Sequence, residues 1–106
     1  MNHPATFRTS SIVTSTIPAY VFSALEEFAE ANGLSRSAAI RNALLNHAHK
    51  ASSLTTPPMQ APCNVNTNIK PDSLRREYEA HAKRCGITVS ELVLRCLSAY
   101  VDRTKP

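Results

Sequence analysis

The chain has two glycines, Gly33 and Gly86, which lie 53 residues apart in matching surroundings. Each follows an amphipathic run, and each is followed two positions later by a hydroxyl residue and then by a second apolar run. A shift of the sequence by that distance also superimposes Thr14 on Thr67, Pro18 on Pro71, Glu26 on Glu79, Ala29 on Ala82, Ser37 on Ser90 and Leu44 on Leu97. The chain is therefore predicted to contain one structural unit twice.

Each half begins with a segment that favours a β-strand. Residues 11–17 are rich in Ile, Val and Thr, and residues 64–70 alternate between polar and β-branched side chains. The side chains expected to face the core are Val13 and Ile17 in the first half, and Val65, Thr67 and Ile69 in the second.

The ungapped shift conflicts with these faces, because it lays the outward Thr16 on the inward Ile69. A slip of one residue moves every strand side chain to the other face. We therefore expect the two strand-to-helix joins, TIP and NIKP, to differ in length by one residue.

Two helices are predicted in each half, separated by the glycine. Pro18 suits the first turn of a helix, and each glycine supplies the left-handed residue that ends one. Ser35 is the expected N-cap of the next helix, and Thr88 to Glu91 form a capping box. The expected apolar positions are Val21, Leu25, Phe28, Ala29, Ala39, Ile40, Ala43, Leu44 and His47, then Leu74, Tyr78, Ala82, Leu92, Val93, Cys96, Leu97 and Tyr100.

The predicted organisation has five segments. A flexible arm covers residues 1–10, the two repeated units cover 11–48 and 64–102, and a short tail covers 103–106. Residues 49–63 contain three prolines and no periodicity, which indicates a linker. At roughly 3.3 Å per residue this linker could span on the order of 50 Å, so one chain could pair its own two units.

Composition favours a polyanionic partner. The chain has 12 Lys and Arg against 8 Asp and Glu, and no acid occurs before Glu26 or between Glu30 and Asp72. Three cysteines without CxxC spacing favour a reducing, cytoplasmic setting, and neither a signal peptide nor a membrane span is expected. No cofactor, small-molecule substrate or enzymatic activity is expected.

A strand, a helix, a glycine turn and a second helix within about 40 residues resemble the ribbon-helix-helix family of DNA-binding proteins. The resemblance covers both halves, and GLSRSAAIRNAL is its most specific segment. It implies a mostly α fold with a short antiparallel two-stranded β-ribbon, here as a tandem copy that forms an intramolecular pseudo-dimer. Exchange of units between two chains is the alternative.

The same resemblance implies binding to double-stranded DNA, because a β-ribbon fits the major groove. The expected base contacts are Thr14, Thr16, Asn66, Asn68 and Lys70, with Ile12 beside them. The expected phosphate contacts, mostly at the N-termini of the second helices, are Arg8, Ser35, Arg36, Ser37, Thr88, Val89 and Ser90. Several chains are expected to associate side by side on longer sites.

A transcriptional repressor is the leading functional hypothesis. An accessory protein of a plasmid transfer or DNA-processing complex is the second, and an antitoxin-type protein-interaction module is the third. Simpler interpretations are that the asparagines form an ordinary solvated strand face and that the hydroxyl residues are only helix caps. His81 with Cys85, and His47 and His49 near Cys63, do not supply four ligands, so no metal site is expected.

Overall fold

The computed structural model describes residues 12–104, with side chains described for residues 12–102. The order of elements is β1 (Ile12–Ile17), α1 (Ala19–Ala31), α2 (Arg36–His47), a 3-10 helix (Ala48–Ser53), β2 (Cys63–Asn68), α3 (Asp72–Cys85) and α4 (Val89–Thr104). The chain is mostly helical, and its two strands form one antiparallel sheet, the ribbon. Arg8, Ser11, the predicted arm and the end of the predicted tail lie outside the described residues.

The two halves begin their helices in the same way. Pro18 and Pro71 are the residues immediately before α1 and α3, one position earlier than the first turn. A proline there sacrifices no hydrogen bond, because a helix leaves its first N–H groups without intrahelical acceptors. The prediction that Pro18 lies in the first turn is therefore wrong by one position, although α1 and α3 both begin directly after a proline.

The two glycines end α1 and α3 with the same geometry. Gly33 and Gly86 have φ values of 66° and 70°, in the left-handed region that a Cβ disfavours. The N–H groups of the residues that follow them donate to Ala29 O at 2.8 Å and to Ala82 O at 3.0 Å. Both turns thus return a hydrogen bond to the last turn of the helix before it, as predicted.

The inner face of the ribbon packs on the helices. Val13, Ser15 and Ile17 of β1 are buried, as are Val65 and Thr67 of β2. The core beneath them comes mainly from α1, α2 and α4, and it includes the predicted Leu25, Ile40, Leu44, Leu92, Cys96 and Leu97. Burial raises the pKa of the Cys96 thiol to about 12, which keeps it protonated as a small core side chain.

The predicted difference between the two joins is confirmed. Ile17 and Ile69 are both buried, at 0% and 3% exposure, but Pro18 follows Ile17 directly whereas Lys70 separates Ile69 from Pro71. One correction concerns length: β2 ends at Asn68, so Ile69 and Lys70 lie beyond the strand that was predicted to reach residue 70. The inserted Lys70 is exposed. Because of this insertion, Ile69 faces the core in the second half as Ile17 does in the first.

The predicted linker is more ordered than its composition suggested. It overlaps a 3-10 helix, and Ser53 Oγ donates to Lys50 O at 2.8 Å within that helix. Further along, the Arg95 guanidinium of α4 donates to Thr56 Oγ1 at 3.1 Å and to Leu54 O at 3.4 Å. Hydrogen bonds from α4 therefore hold the first part of the linker against the helical core.

None of the helices in residues 12–104 is both long and apolar enough to cross a membrane.

Candidate nucleic-acid interface

The ribbon presents one face to solvent, and this outer face consists of uncharged side chains. The register pairs Ile12 with Asn68, Thr14 with Asn66 and Thr16 with Asn64. All six of these residues are exposed, and Ile12 is 49% exposed despite being aliphatic. Alternation along both strands puts these six on one side and the buried set on the other.

Two hydrogen bonds cross the outer face between the strands. Thr14 Oγ1 donates to Asn66 Oδ1 at 2.7 Å. One rung further along, Thr16 Oγ1 donates to Asn64 Oδ1 at 2.9 Å. The side-chain amides of both asparagines are therefore held by threonines of the opposite strand.

The outer face contains four of the five residues predicted to contact bases: Thr14, Thr16, Asn66 and Asn68. The fifth, Lys70, is exposed but lies after the end of β2, beside Pro71. Asn64 was missed, because the prediction took only the later asparagines of the alternating run. Its place opposite Thr16 follows from the strand register, which the alternation alone does not fix.

The N-terminus of α4 is attached to the middle of β1. Thr88 caps the helix by accepting a hydrogen bond from Glu91 N at 3.1 Å. Ser90 Oγ donates to Thr14 O at 2.7 Å, and Ser15 Oγ donates to Ser90 O at 3.0 Å. This helix end is therefore fixed against β1, and the Ser90 hydroxyl proton is already used within the protein.

The N-terminus of α2 is more open. Ser35 caps it by accepting from Ala38 N at 3.1 Å, and Ser35, Arg36 and Ser37 are all exposed. The Arg36 guanidinium lies over the Phe22 ring, 5.1 Å from its centroid. A cation-π contact of this kind orients the charge while leaving its N–H groups to solvent.

Charge distinguishes the two helix ends. The first turn of α2 has no acid and carries Arg36, whereas the first turn of α4 contains Glu91. Glu91 was predicted to complete a capping box, but its carboxylate accepts hydrogen bonds from Thr56 and Arg95 instead. The Thr56 hydrogen bond and then Arg95 hold the pKa of Glu91 below its usual value.

The inner contacts of the ribbon also differ between the halves. Thr67 is buried, yet its hydroxyl has no hydrogen-bond partner, whereas the hydroxyl of the corresponding Ser15 donates to Ser90. A cleft of about 40 Å³ lies between α2, α3 and the end of β2, and its lining includes Leu44, Thr67 and Ile69. The Cα atoms of α2 approach those of β2 at fewer positions than the Cα atoms of α4 approach those of β1.

His47, His49, His81 and Cys85 lie away from the ribbon, whereas Cys63 is the first residue of β2. His49, His81 and Cys85 line a cleft between the 3-10 helix and α3, where Arg84 hydrogen-bonds His81 Nδ1. Buried His47 packs edge-on against Tyr100, with ring centroids 6.2 Å apart. Within the described part of the chain, no three His, Cys, Asp or Glu side chains are grouped as metal ligands.

The outer face of the ribbon presents hydrogen-bond donors, hydrogen-bond acceptors and methyl groups to a binding partner. The capped N-termini of α2 and α4 belong to the same domain. Comparisons of the chain with protein-family models, with curated proteins and with solved structures found no match.

Proposed function

We propose that this chain is a tandem ribbon-helix-helix protein that binds double-stranded DNA sequence-specifically and acts as a transcriptional repressor. The outer face of the ribbon would enter the major groove, and the N-termini of α2 and α4 would contact flanking phosphates. The observation that carries the proposal is the outer face itself, six exposed side chains without a carboxylate on a two-stranded ribbon.

The tandem organisation is supported by the agreement between the two halves. Each has a strand, a proline at the helix start, a left-handed glycine and a hydroxyl cap in the same order. With one residue inserted at Lys70, the buried strand residues also correspond: Val13 with Val65, Ser15 with Thr67 and Ile17 with Ile69. The pairing of β1 with β2 then corresponds to the pairing of two subunits in a dimer.

Phosphate binding is supported by the two helix ends. In α2, the N–H groups of Arg36 and Ser37 precede the N–H that Ser35 caps, so they have no acceptor in a preceding turn. Together with the helix dipole and the Arg36 charge, they suit an anion. In α4, the contribution would come from backbone N–H groups, since the Ser90 hydroxyl donates to Thr14.

Selection of bound duplexes from a random DNA library tests the DNA-binding proposal. The wild-type protein and the control Asn46→Ala, an exposed asparagine of α2, should enrich one common sequence. The variant with Asn64, Asn66 and Asn68 all replaced by alanine should lose that enrichment but keep weak, salt-sensitive binding. Enrichment of the same sequence by the triple variant would show that the ribbon does not read bases.

The pseudo-dimer is tested by the concentration dependence of unfolding. If one chain pairs its own strands, the urea midpoint should not change over a hundred-fold range of protein concentration. A midpoint that rises with concentration would instead support exchange of units between chains.

The repressor role is tested by transcription in vitro from a template whose promoter overlaps the selected sequence. The wild-type protein should reduce transcription, because a protein in the major groove there competes with polymerase. Binding without reduced transcription would favour the accessory role in DNA processing.

A further inference from the structure

The two hydrogen bonds across the outer face assign different roles to its threonines and asparagines. A threonine hydroxyl has one proton, and in Thr14 and Thr16 that proton is donated to an asparagine Oδ1. In this arrangement the threonine hydroxyls have no proton left for a base. Each asparagine retains one lone pair on Oδ1 and two protons on Nδ2.

The bonds also restrict how the amides can turn. The terminal torsion of an asparagine side chain is broad, so an exposed amide ordinarily samples many orientations. A hydrogen bond from a threonine of the neighbouring strand ties Oδ1 to one side of the ribbon. The amide then presents an acceptor and a donor on adjacent atoms in a single orientation.

We propose that Asn64 and Asn66 read adenine, and that Thr16 and Thr14 are positioning residues that hold these amides for the contact. This inference rests on the proposed DNA-binding function. It makes Asn64, which the pattern of the sequence did not single out, a specificity-determining residue. It also moves Thr14 and Thr16 from direct hydrogen bonding with bases to the orientation of their neighbours.

The choice of adenine follows from the groups that each base pair shows in the major groove. Adenine offers the N7 acceptor beside the N6 donor, which matches one amide donor and one amide acceptor. Guanine offers two acceptors, N7 and O6, so the held Oδ1 would face another acceptor. The exposed Ile12 adds apolar surface suited to a thymine methyl.

The test uses the duplex that the full-length wild-type protein selects from the random library. Affinity is measured by fluorescence anisotropy for that duplex, for a copy with 7-deazaadenine at the enriched adenines, and for a copy with A·T changed to G·C. The change from A·T to G·C removes the paired contact and should weaken wild-type binding between about 5-fold and 150-fold. 7-Deazaadenine removes only the N7 acceptor, so its effect should be smaller. Both modified duplexes should therefore bind more weakly than the selected one.

The double variant Thr14→Val, Thr16→Val removes both hydroxyls and keeps the branched shape that suits a strand. It should bind the selected duplex roughly ten-fold more weakly and lose most of its preference for A·T over G·C. The matched variant Thr14→Ser, Thr16→Ser keeps the hydroxyls and should retain the preference. Circular dichroism should be alike for all three proteins, since both positions are exposed.

Each result tests a different part of the proposal. Wild-type enrichment of a sequence whose binding is indifferent to 7-deazaadenine would overturn adenine reading but leave DNA binding standing. An unchanged A·T preference in the double valine variant would overturn the positioning role. Failure of the wild-type protein to enrich any duplex would overturn the proposed function and this inference together.

Discussion

The two helices that pack under the ribbon, α2 and α4, each follow a left-handed glycine and a hydroxyl cap, but they make different contacts with the ribbon. At the β1 side, Ser15 Oγ donates to Ser90 O and Ser90 Oγ donates to Thr14 O, and these two hydrogen bonds join the strand to the start of α4. At the β2 side, Thr67 occupies the position of Ser15, but its buried hydroxyl has no hydrogen-bond partner and a cleft lies between the end of the strand, α2 and α3. Repetition of a pattern therefore does not guarantee repetition of an interface.

From this difference in contacts we infer that the two sides of the ribbon contribute differently to stability and to binding. The β1 and α4 side is tied together by hydrogen bonds, which favours stability. The α2 end retains an exposed Arg36, an exposed Ser37 and a first turn without acids, which favours contact with an anion. Four experiments test whether this difference in geometry is also a difference in the free energy of unfolding.

The largest expected effect is from shortening the matched isoleucines at the ends of the inward faces. Ile17→Ala and Ile69→Ala should each lower the free energy of unfolding by about 2–5 kcal/mol, through lost burial and a new cavity. Ile17→Ala should cost more, because Ile17 is fully buried whereas Ile69 already borders the cleft. Urea unfolding followed by circular dichroism measures both, and equal losses would show that the cleft has no energetic consequence.

The buried hydroxyls should respond in opposite directions. Ser15→Ala removes a hydrogen bond and should lower the free energy of unfolding by about 1 kcal/mol. Thr67→Val replaces an unpartnered hydroxyl with a methyl of similar size, so stability should be unchanged or rise by up to about 1 kcal/mol. Thermal unfolding compares them, and a loss in Thr67→Val as large as in Ser15→Ala would contradict the difference between the two interfaces.

A smaller difference is expected between the matched serines in the first turns of α2 and α4. Ser90→Ala should lower the free energy of unfolding by about 0.5–1.5 kcal/mol, because it loses the bond to Thr14 O. Ser37→Ala, at an exposed site, should stay within about 0.5 kcal/mol of the wild type. Because both changes alter helix propensity alike, the difference between the two urea midpoints isolates the contact with the ribbon.

The smallest effect concerns acid pH and Glu91, which has no acidic counterpart in the first turn of α2. Its pKa is lowered in the folded protein, first by the Thr56 hydrogen bond and then by Arg95, from a usual value of 4.5. Its contribution to stability is therefore full above pH 4.5 and is lost as pH falls through the lower, folded value.

Urea unfolding of the wild type and of Glu91→Gln at pH 6 and pH 3 isolates this contribution, because the other carboxylates titrate alike in both proteins. The wild type should lose more stability on acidification than the variant. Equal losses would mean that Glu91 is not stabilised by Thr56 and Arg95.

Much of the local structure could be predicted from the sequence. The prolines, the left-handed glycines, the caps Ser35 and Thr88, and the inward strand residues follow from short-range rules, since each depends on a few neighbouring residues. Even the extra Lys70 could be inferred, because a slip of one residue would have turned Ile69 toward solvent. The bonds from Arg95 to the linker could not, since those partners are about 40 residues apart.

The candidate site was predicted only in part for the same reason. Alternation indicates which side chains of a strand share a face, but the register decides which residue of the other strand stands opposite. Thr14 therefore could not be paired with Asn66, nor Thr16 with Asn64, before the strands were joined. The prediction omitted Asn64 and placed Lys70 on a strand that ends at Asn68.

The sequence by itself determined a repeated order of strand, helix, glycine turn and helix, because each of those steps is set by local backbone preferences and hydrophobic periodicity. Tertiary structure alone decided that Ser15 bonds to Ser90 while Thr67 has no partner, and that two threonines hold two asparagines across the ribbon. These contacts join residues about 50 to 75 positions apart, so they depend on how the whole chain packs and on no property of either segment alone.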